Sequence, residues 1–396
     1  MEKTLLITNL TWNQKEYLAT ALYHDKKLLE VSLELQDKQT ILHNIYVGRV
    51  KNIVKNLNAA FIEIAPGVSC YYDLDELKNP LYVKKINCPR MVQGDEVVVQ
   101  VVRERSKGKP PKVSTNLNFS GKYLVLTSES TTLSISRKLD AETKKSLKES
   151  LNFIREPDCG FIIRTNAAQA SAEEIKEEYQ RLRKEYLNLK ENAVHRTVFS
   201  CLKKQIPEYL HILRDMKTGQ LDSIVTDDAE ILGQIRQYLE QFPKQEYILK
   251  FYEDPMISLN KIYSLDTRLS EALRERVWLK SGGYLIIQPT EALTVIDVNS
   301  GKSIAKKKAQ EHYLKINLEA AAEIAWQMRL RNISGIIIVD FIDMKSAEDN
   351  ELLLRTLRAS VREDSVPVQI VDMTKLHLVE ITRKKVKKSL AEQLMA

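Results

Sequence analysis

The segments ALTVIDVNSGK at positions 292–302 and GIIIVDFIDM at positions 335–344 decide the fold of this chain. Each is a short apolar run, rich in β-branched residues, that ends in acidic or amide side chains, as a buried strand followed by a loop does. Between them a helical pattern extends over roughly 306–331. A strand, a crossover helix and a second strand make a β-α-β unit, so the sequence predicts two parallel, neighbouring strands.

Polar side chains follow both predicted strands at their carboxyl ends. Asp297 and Asn299 belong to the first segment, and Asp340 and Asp343 belong to the second. Ligands of open α/β sheets collect beyond the carboxyl ends of the strands, so we predict that Asp297, Asn299 and Asp343 converge. A single aspartate at a strand end is more often a helix cap or a turn residue. Asp340 fits that reading poorly, because a carboxylate within an apolar run is costly to bury unless it is paired or metal-bound.

Such a group of oxygen-bearing side chains suits a hard cation. Magnesium is often held by only one or two carboxylates and completes its shell with water and substrate phosphates. Gly301, Lys302 and Ser303 resemble the end of a phosphate loop, but that motif needs a second glycine where Ile296 stands. The sequence therefore predicts a cation site at these strand ends and excludes a nucleoside-triphosphate loop.

Composition sets broad limits on the class of protein. The chain has 396 residues, enough for two to four domains, with 43% hydrophobic and 29% charged residues, as in ordinary globular proteins. Its net charge of +7 permits a polyanionic partner. The four cysteines lack metal-binding spacing, the N-terminus does not read as a secretory signal, and no apolar run reaches membrane-spanning length. We therefore expect reduced thiols and a cytoplasmic protein, with no membrane partner.

Three motifs together resemble the catalytic core of the ribonuclease E/G endoribonucleases. They are TVIDVNS at 294–300, NLEAAAEIAWQMRLR at 317–331 and GIIIVDFIDM at 335–344. The match is long and specific, and the rest of the chain agrees with it from the first residues onward. The resemblance implies RNA as the substrate and a divalent metal ion as the cofactor.

The resemblance also implies roles for individual residues. Asp297 and Asp343 match the two metal-holding aspartates, and Asn299 matches the asparagine that orients them. Asp340 matches an acidic position of the same signature, with a role that we leave undefined. Arg383 matches a basic residue near the active centre. The basic run that begins at Arg383 could simply form a solvated helix face. We expect a functional role only for Arg383 and solvation for the other residues of the run.

Positions 40–118 read as several short strands, which predicts a small barrel. This region resembles the OB-fold RNA-binding module of the ribosomal protein S-one type. The resemblance implies that Phe61 and Tyr71 stack on bases and that Lys112 lies in a segment that makes a basic contact. From the sequence alone, burial of Phe61 in the barrel core is equally open.

The strand-like run GFIIRT at 160–165 ends in a basic and a hydroxyl side chain. A guanidinium offers a two-pronged set of donors to a phosphate, although an arginine at a strand end is usually only solvated. The resemblance implies a pocket that reads a 5′-monophosphate on the RNA. Its residues match Gly121, Val125, Arg164 and Thr165.

The expected architecture is a multi-subdomain α/β protein with an inserted barrel. The sequence given ends at Ala396 without the Cys-Pro-x-Cys pair of longer family members, so we expect no structural zinc and leave the oligomeric state open. The expected ranges are 1–38 and 210–269 for the two parts of an RNase H-like subdomain, 39–119 for the OB fold, 120–209 for the 5′-phosphate sensor region and 270–396 for a DNase I-like catalytic subdomain.

The expected function is that of a magnesium-dependent endoribonuclease, with manganese as the alternative ion. It would hydrolyse single-stranded RNA, such as mRNA or rRNA precursors, in RNA processing and decay, and it would prefer 5′-monophosphorylated substrates. One alternative is a catalytically inactive RNA-binding protein that keeps the fold. Another is a phosphodiesterase acting on DNA or small nucleotides, which the OB fold would serve poorly.

Overall fold

The computed structural model carries strands and helices throughout the chain. It describes residues 2–36, 40–76, 78, 80–86, 88–105, 108–151, 153–154, 156–216, 219–242, 247–301 and 309–395. The strands are β1 (Lys3–Trp12), β2 (Lys15–His24), β3 (Lys27–Leu35), β4 (Ile45–Val54), β5 (Ala59–Ala65), β6 (Val68–Asp73), β7 (Tyr82–Lys84), β8 (Glu96–Arg103), β9 (Lys112–Ser114), β10 (Asn118–Ser120), β11 (Leu124–Thr127), β12 (Leu133–Ile135), β13 (Gly160–Ile163), β14 (Cys201–Lys203), β15 (Ser223–Thr226), β16 (Ile248–Phe251), β17 (Arg276–Trp278), β18 (Tyr284–Pro289), β19 (Leu293–Asn299), β20 (Gly335–Asp340), β21 (Val368–Met373) and β22 (Leu378–Arg383).

Among the described residues the α-helices are fewer than the strands, and two of them have 22 residues. No helix among the described residues is long and apolar enough to span a membrane. The α-helices are α1 (Ala141–Ser150), α2 (Ala172–Ala193), α3 (Glu208–Asp215), α4 (Ala229–Leu239), α5 (Leu259–Ile262), α6 (Leu265–Ala272), α7 (Ala309–Leu330), α8 (Ala347–Ser360) and α9 (Leu390–Leu394), and short 3-10 helices lie at Lys55–Leu57, Leu74–Glu76, Thr165–Gln169 and Val361–Glu363.

The chain divides into two compact units. The first unit comprises residues 1–39 and 219–396, and the second unit comprises residues 40–218. The first unit is therefore built from both ends of the chain, with the second inserted between its two parts.

One sheet of the first unit has the strand order β16-β15-β1-β2-β3. β1 and β2 form a long antiparallel hairpin. Its two turn residues, Asn13 and Gln14, both have positive φ, which a two-residue turn matched to the strand twist requires. β15 then pairs with β1 in parallel, with Thr4 opposite Ser223. The three N-terminal strands are thus joined in this sheet by two strands from the later part of the chain.

The other sheet of the first unit has the order β17-β18-β19-β20-β22-β21. β19 and β20 are parallel neighbours joined through α7, as the β-α-β pattern predicts. Side chains alternate along β19: Ile296 and Val298 are buried in the same apolar cluster as Ile316 and Ala320 of α7. The alternate residues of β19 therefore lie on the opposite face of the sheet. Lys302, Ser303 and positions 306–308 of the predicted helix lie outside the described residues.

The second unit contains a closed five-stranded barrel, which confirms the predicted OB-like barrel. Its strands follow the order β4-β5-β6-β9-β8, and pairing of β4 with β8 closes it. Alternate residues point inward, and they include Ile62, Ile64, Cys70, Tyr72 and Val99.

The second unit also contains a four-stranded sheet, β10-β11-β13-β12, that shares an apolar core with α1 and α2. α2 begins with a capping box, in which Ser171 accepts from the Glu174 backbone N–H and Glu174 accepts from the Ser171 backbone N–H. Leu124, Leu126, Phe161 and Ile163 are buried in this core. The opposite face of β11 and β13 is left for other contacts.

Candidate functional site

The two predicted acidic strand ends lie side by side in the first unit. Asp297 on β19 is the direct cross-strand partner of Asp340 on β20, so both side chains share one face of the sheet. This is the face opposite the buried Ile296 and Val298, and Asp297 is half-buried while Asp340 is exposed. The strand pairing thus brings two carboxylates from segments distant in sequence onto neighbouring backbones.

Asn299 orients one of these carboxylates. Its Nδ2 donates a hydrogen bond of 2.6 Å to Oδ2 of Asp297. Asn299 and Asp297 are two positions apart on β19 and therefore project from the same face. The amide fixes one carboxylate oxygen, and among the described residues no hydrogen bond occupies Oδ1 of Asp297 or the oxygen of Asn299, so both can face a ligand.

Asp340 experiences the charge of both neighbouring aspartates. Although the side chain is exposed, partial desolvation by the surrounding atoms and the negative charges of Asp297 and Asp343 raise the pKa of Asp340 above its usual value. The effect places Asp343, which follows β20 in an exposed loop, within electrostatic range of the pair. The negative charges of Asp297 and Asp343 therefore both act on Asp340 at one edge of the sheet.

Asn317, a residue that the sequence reading missed, holds the loop that carries Asp343. It is completely buried on α7, where its Nδ2 donates to the carbonyl of Ile342 at 2.8 Å and its Oδ1 accepts from the Ile342 N–H at 3.1 Å. These two bonds fix the backbone immediately before Asp343. The available signal was an asparagine within the otherwise apolar, Ala-rich face of the predicted helix.

The donor set fits a hard cation that keeps part of its hydration shell. In the described part of the chain, no three His, Cys, Asp or Glu side chains form a complete metal-binding group. Carboxylate and amide oxygens at one edge, with the negative charges of Asp297 and Asp343 acting on Asp340, nevertheless match a site of one or two carboxylates completed by water and substrate phosphate.

Arg383 does not join this group, contrary to the expectation. It lies opposite Gly335, at the start of β20, whereas Asp340 is at the end of the same strand. The Arg383 guanidinium is buried and donates to both carboxylate oxygens of Asp364, at 2.8 and 3.1 Å. It also donates to Oδ1 of Asn332 at 2.7 Å. The structure therefore gives Arg383 a structural ion pair away from the acidic strand ends.

On the barrel of the second unit, the three predicted contact residues form one row. Phe61 on β5 is the cross-strand partner of Tyr71 on β6, and Tyr71 is the partner of Lys112 on β9. The two rings meet edge to face, with centroids 6.3 Å apart. Both rings are only half-buried and alternate with the interior residues Ile62 and Tyr72, so they lie on the outer face of the barrel.

Lys112 is held at the end of this row by acidic neighbours. Its Nζ lies 2.5 Å from Oε1 of Glu76 and 4.0 Å from Oδ2 of Asp73. These partners fix the ammonium of a residue whose backbone is paired with that of Tyr71. A row of two aromatic rings and one cation is the arrangement on which unpaired bases and their backbone bind.

Arg164 and Gly121 of the second unit are in direct contact. Nη1 of Arg164 donates to the Gly121 carbonyl at 2.6 Å and to Oδ1 of Asp215 at 2.8 Å. A side chain at position 121 would clash, because a Cβ there would lie 2.4 Å from Cδ of the buried Glu178. Thr165 follows Arg164 at the start of a 3-10 helix. Val125, half-buried on β11, lies opposite Ile162, away from the core.

Asp215 is a second residue that the sequence reading missed. Its side chain is partly exposed, and the desolvation it does experience is outweighed by hydrogen bonds and charge from Arg214 and Arg164, which lower the pKa of Asp215 to about 2. The Arg164 guanidinium therefore already faces a carboxylate, and both of its described side-chain bonds use Nη1. In the part of the chain that the structure describes, the side-chain bonds of Arg164 do not use Nε and Nη2, so these two donors are left for a ligand.

These observations define a modular α/β protein with an OB-like barrel and an acidic group at parallel strand ends. A family model described as the Ribonuclease E/G family matches residues 118–386. The chain belongs to this family, which confirms the resemblance read from the motifs.

Individual relatives agree with the family match. The chain is 32% identical to Ribonuclease E of Nostoc sp. over 380 residues, covering 94% of this chain and 55% of that protein. It is 31% identical to Ribonuclease G of Haemophilus influenzae over 411 residues, covering 100% of this chain and 82% of that protein. It is 32% identical to a Ribonuclease E/G-like protein of Porphyra purpurea, covering 88% and 70%. The chain spans about half the length of the cyanobacterial ribonucleases E that it matches.

Proposed function

We propose that this chain is an endoribonuclease that hydrolyses phosphodiester bonds in single-stranded RNA, in RNA processing and decay. The observation that carries the proposal is the pairing of Asp297 with Asp340, together with the hydrogen bond from Asn299 to Asp297. Membership of the Ribonuclease E/G family supports the reaction class.

In this proposal, Asp297 and Asp343 hold a magnesium ion, with manganese as the alternative. When bound, the ion would acidify a water, polarise the scissile phosphate and offset charge in the transition state. Asn299 keeps the Asp297 carboxylate in one rotamer, and Asn317 fixes the backbone that carries Asp343. Asp340 adds negative charge to the same edge, which strengthens attraction of a cation.

The barrel row would bind the RNA strand. Phe61 and Tyr71 offer exposed ring surface on which unpaired bases stack whatever their sequence, and Lys112 offers a charge to the backbone. The outward position of Phe61 and Tyr71 supports this reading over burial in the core. The net charge of +7 agrees with a polyanionic partner.

We further propose that Arg164 and Thr165, with Gly121 and Val125, favour RNA that ends in a 5′-monophosphate. The Nε and Nη2 donors of Arg164 would bind the terminal phosphate, because charge-assisted bonds to a guanidinium are strong. Asp215 would oppose the phosphate by charge while it holds the guanidinium in place. The preference would therefore be modest and sensitive to salt.

The finer architecture belongs to the same proposal. The two-part sheet of the first unit would correspond to an RNase H-like subdomain, and the β17–β22 sheet to a DNase I-like one. Residues 120–209 would form the 5′-phosphate sensor region. A cytoplasmic location is supported by four free cysteines, which suit a reducing compartment.

The test is incubation of the purified chain with a 5′-labelled single-stranded RNA, with magnesium, with manganese and with chelator. We expect internal cuts only with a divalent ion. Cutting in chelator would contradict the metal-dependent mechanism. Tight RNA binding without any cutting in either ion would favour the alternative, a non-catalytic RNA-binding protein.

A further inference from the structure

An aromatic pair lies on the edge of the sheet that carries the acidic strand ends. Trp278 on β17 is the cross-strand partner of Tyr284 on β18, and their ring centroids are 5.2 Å apart at an angle of 61°. Arg276 lies over both rings, with its guanidinium carbon 4.6 Å from the Tyr284 centroid and 5.7 Å from the Trp278 centroid. Trp278 nevertheless remains 64% exposed, which is unusual for so large an apolar side chain.

The strand register continues this pair directly to the acidic group. Tyr284 is the partner of Asn299, and Ile286 is the partner of Asp297. The intervening residue Leu285 is completely buried in the apolar cluster on the other face, so Trp278, Tyr284 and Asn299 share one face. Two strand spacings, about 10 Å in total, separate the Trp278 backbone from that of Asn299.

The turn between β17 and β18 is packed tightly against the end of β19. A Cβ at Gly283 would lie 2.7 Å from the Asn299 carbonyl, and a Cβ at Gly301 would lie 2.5 Å from the Gly282 carbonyl. Gly282 and Gly301 also have positive φ, where a side chain is strained. The hairpin that carries the aromatic pair is therefore held in a fixed position beside Asn299.

We infer that Trp278 and Tyr284, with Arg276, form a base-stacking subsite for one unpaired nucleotide next to the bond that is cut. The inference rests on the proposed function and extends it to substrate positioning. A base would stack on the exposed Trp278 ring, because every base offers a π-face to an aromatic side chain. Arg276 would supply positive charge to the neighbouring phosphate, on an edge where Asp297 and Asp340 otherwise repel the backbone.

The chemistry of the patch favours RNA over a protein partner. The patch is small and places a guanidinium over its aromatic rings, on the same sheet face as Asp297 and Asp340, whereas the core of a protein interface is depleted of charge. β17 has only three residues, too few to offer a long edge for pairing with another strand. A contact with a second copy of the chain is one outcome of the test below.

The test pairs a side-chain deletion with a base deletion. Trp278→Ala and wild type are compared on a short single-stranded RNA and on versions with one abasic nucleotide at each position around the cleavage site. Binding is measured by fluorescence anisotropy in chelator at fixed salt, and cleavage in magnesium. We expect wild type to lose about tenfold in affinity, about 1.4 kcal/mol, at one abasic position near the cut.

Trp278→Ala should lose the same factor on intact RNA and lose nothing more at that abasic position, which is the coupling that a shared stack predicts. Trp278→Phe should retain most of the affinity. Phe251→Ala is the matched control, since Phe251 is 44% exposed on the edge strand of the other sheet. The thermal unfolding midpoint of each variant shows that the fold is kept.

Losses that simply add at every abasic position would overturn the subsite, and so would wild-type affinity of Trp278→Ala. A change in mass by light scattering, with RNA affinity unchanged, would assign the patch to contact between copies instead. These outcomes are separate from failure of the proposed function, which Asp297→Asn tests through cleavage alone. Wild-type cleavage by Asp297→Asn would move the active centre, while binding in chelator would still report on Trp278.

Discussion

Phe61 and Tyr71 allow the RNA-binding reading of the barrel to be tested against burial in its core. Phe61→Ala and Tyr71→Ala each remove one half-buried ring from the outer face. A stacked base contributes about 1–3 kcal/mol, so each variant should bind single-stranded RNA about 5- to 150-fold more weakly. The loss of stability should be small, because the edge-to-face pair contributes only about 0.5–1.5 kcal/mol beyond area burial. The two losses should not add, since the rings touch.

Tyr72 provides the internal comparison. Tyr72 follows Tyr71 directly in the sequence but is completely buried inside the barrel, where its hydroxyl lies 3.0 Å from that of Thr115. Tyr72→Ala should cost about 3–5 kcal/mol of unfolding free energy, as large core deletions do. Affinity is measured by anisotropy in chelator at fixed salt, and stability by urea unfolding. A stability loss for Phe61→Ala as large as that of Tyr72→Ala, with unchanged affinity in the folded fraction, would refute the outward reading.

The further predictions concern charged groups. Arg164→Ala should erase any preference for RNA with a 5′-monophosphate over RNA with a 5′-hydroxyl, while both RNAs are still cleaved. Asp215→Asn should strengthen the preference, because it removes a charge that opposes the phosphate. Paired cleavage assays at fixed salt test both predictions. Because the pKa of Asp215 is held at about 2, its contribution to stability is present above about pH 4 and is lost as the pH falls toward 2, so urea unfolding of Asp215→Asn should lack this component. Asp340→Asn should raise the thermal unfolding midpoint at pH 7 in chelator, because the fold raises the pKa of this carboxyl and so disfavours its ionised form. The gain in midpoint should vanish once the pH is low enough to protonate Asp340 in both the folded and the unfolded state. A gain that persisted at that pH would contradict repulsion of Asp340 by its neighbours. Arg383→Met should lower the free energy of unfolding by about 3–5 kcal/mol, because it leaves Asp364 charged and buried. Much of this loss should be recovered when Asp364→Leu is added. A fully stable Arg383→Met protein that lacks cleavage would return Arg383 to a catalytic role.

The sequence was informative where local pattern fixes both structure and position. In 295–299 the polar residues Asp297 and Asn299 stand two positions apart, which predicts that they share one face, and a β-α-β connection makes the two strands parallel neighbours. Those two facts place Asn299 on the same face as Asp297 and bring the two acidic segments together, whereas the register that makes Asp340 the partner of Asp297 came from the structure. Alternation within β5 likewise separates Phe61 from the core, although the pattern alone did not show which face was closed.

The remaining features depend on partners that are distant in sequence. Because β22 runs antiparallel to β20, its last residue, Arg383, lies at the opposite end of the sheet from Asp340. There Arg383 is paired with Asp364. Asp215 meets Arg164 only through the packing of α3 near β13. Periodicity carries no information on which residue of one element meets which residue of another, so neither contact could be read from the chain.

The most direct test of the account is single-turnover cleavage by Asp297→Asn and Asp343→Asn in magnesium. Each variant removes one formal charge from the proposed metal site, so cleavage of a 5′-labelled RNA should fall by about 100-fold or more, while affinity in chelator stays within about twofold of wild type. Glu351→Gln, which changes an exposed carboxylate on α8, should cleave normally and serves as the matched control. Wild-type cleavage by either aspartate variant would contradict the assignment of the active centre to these strand ends.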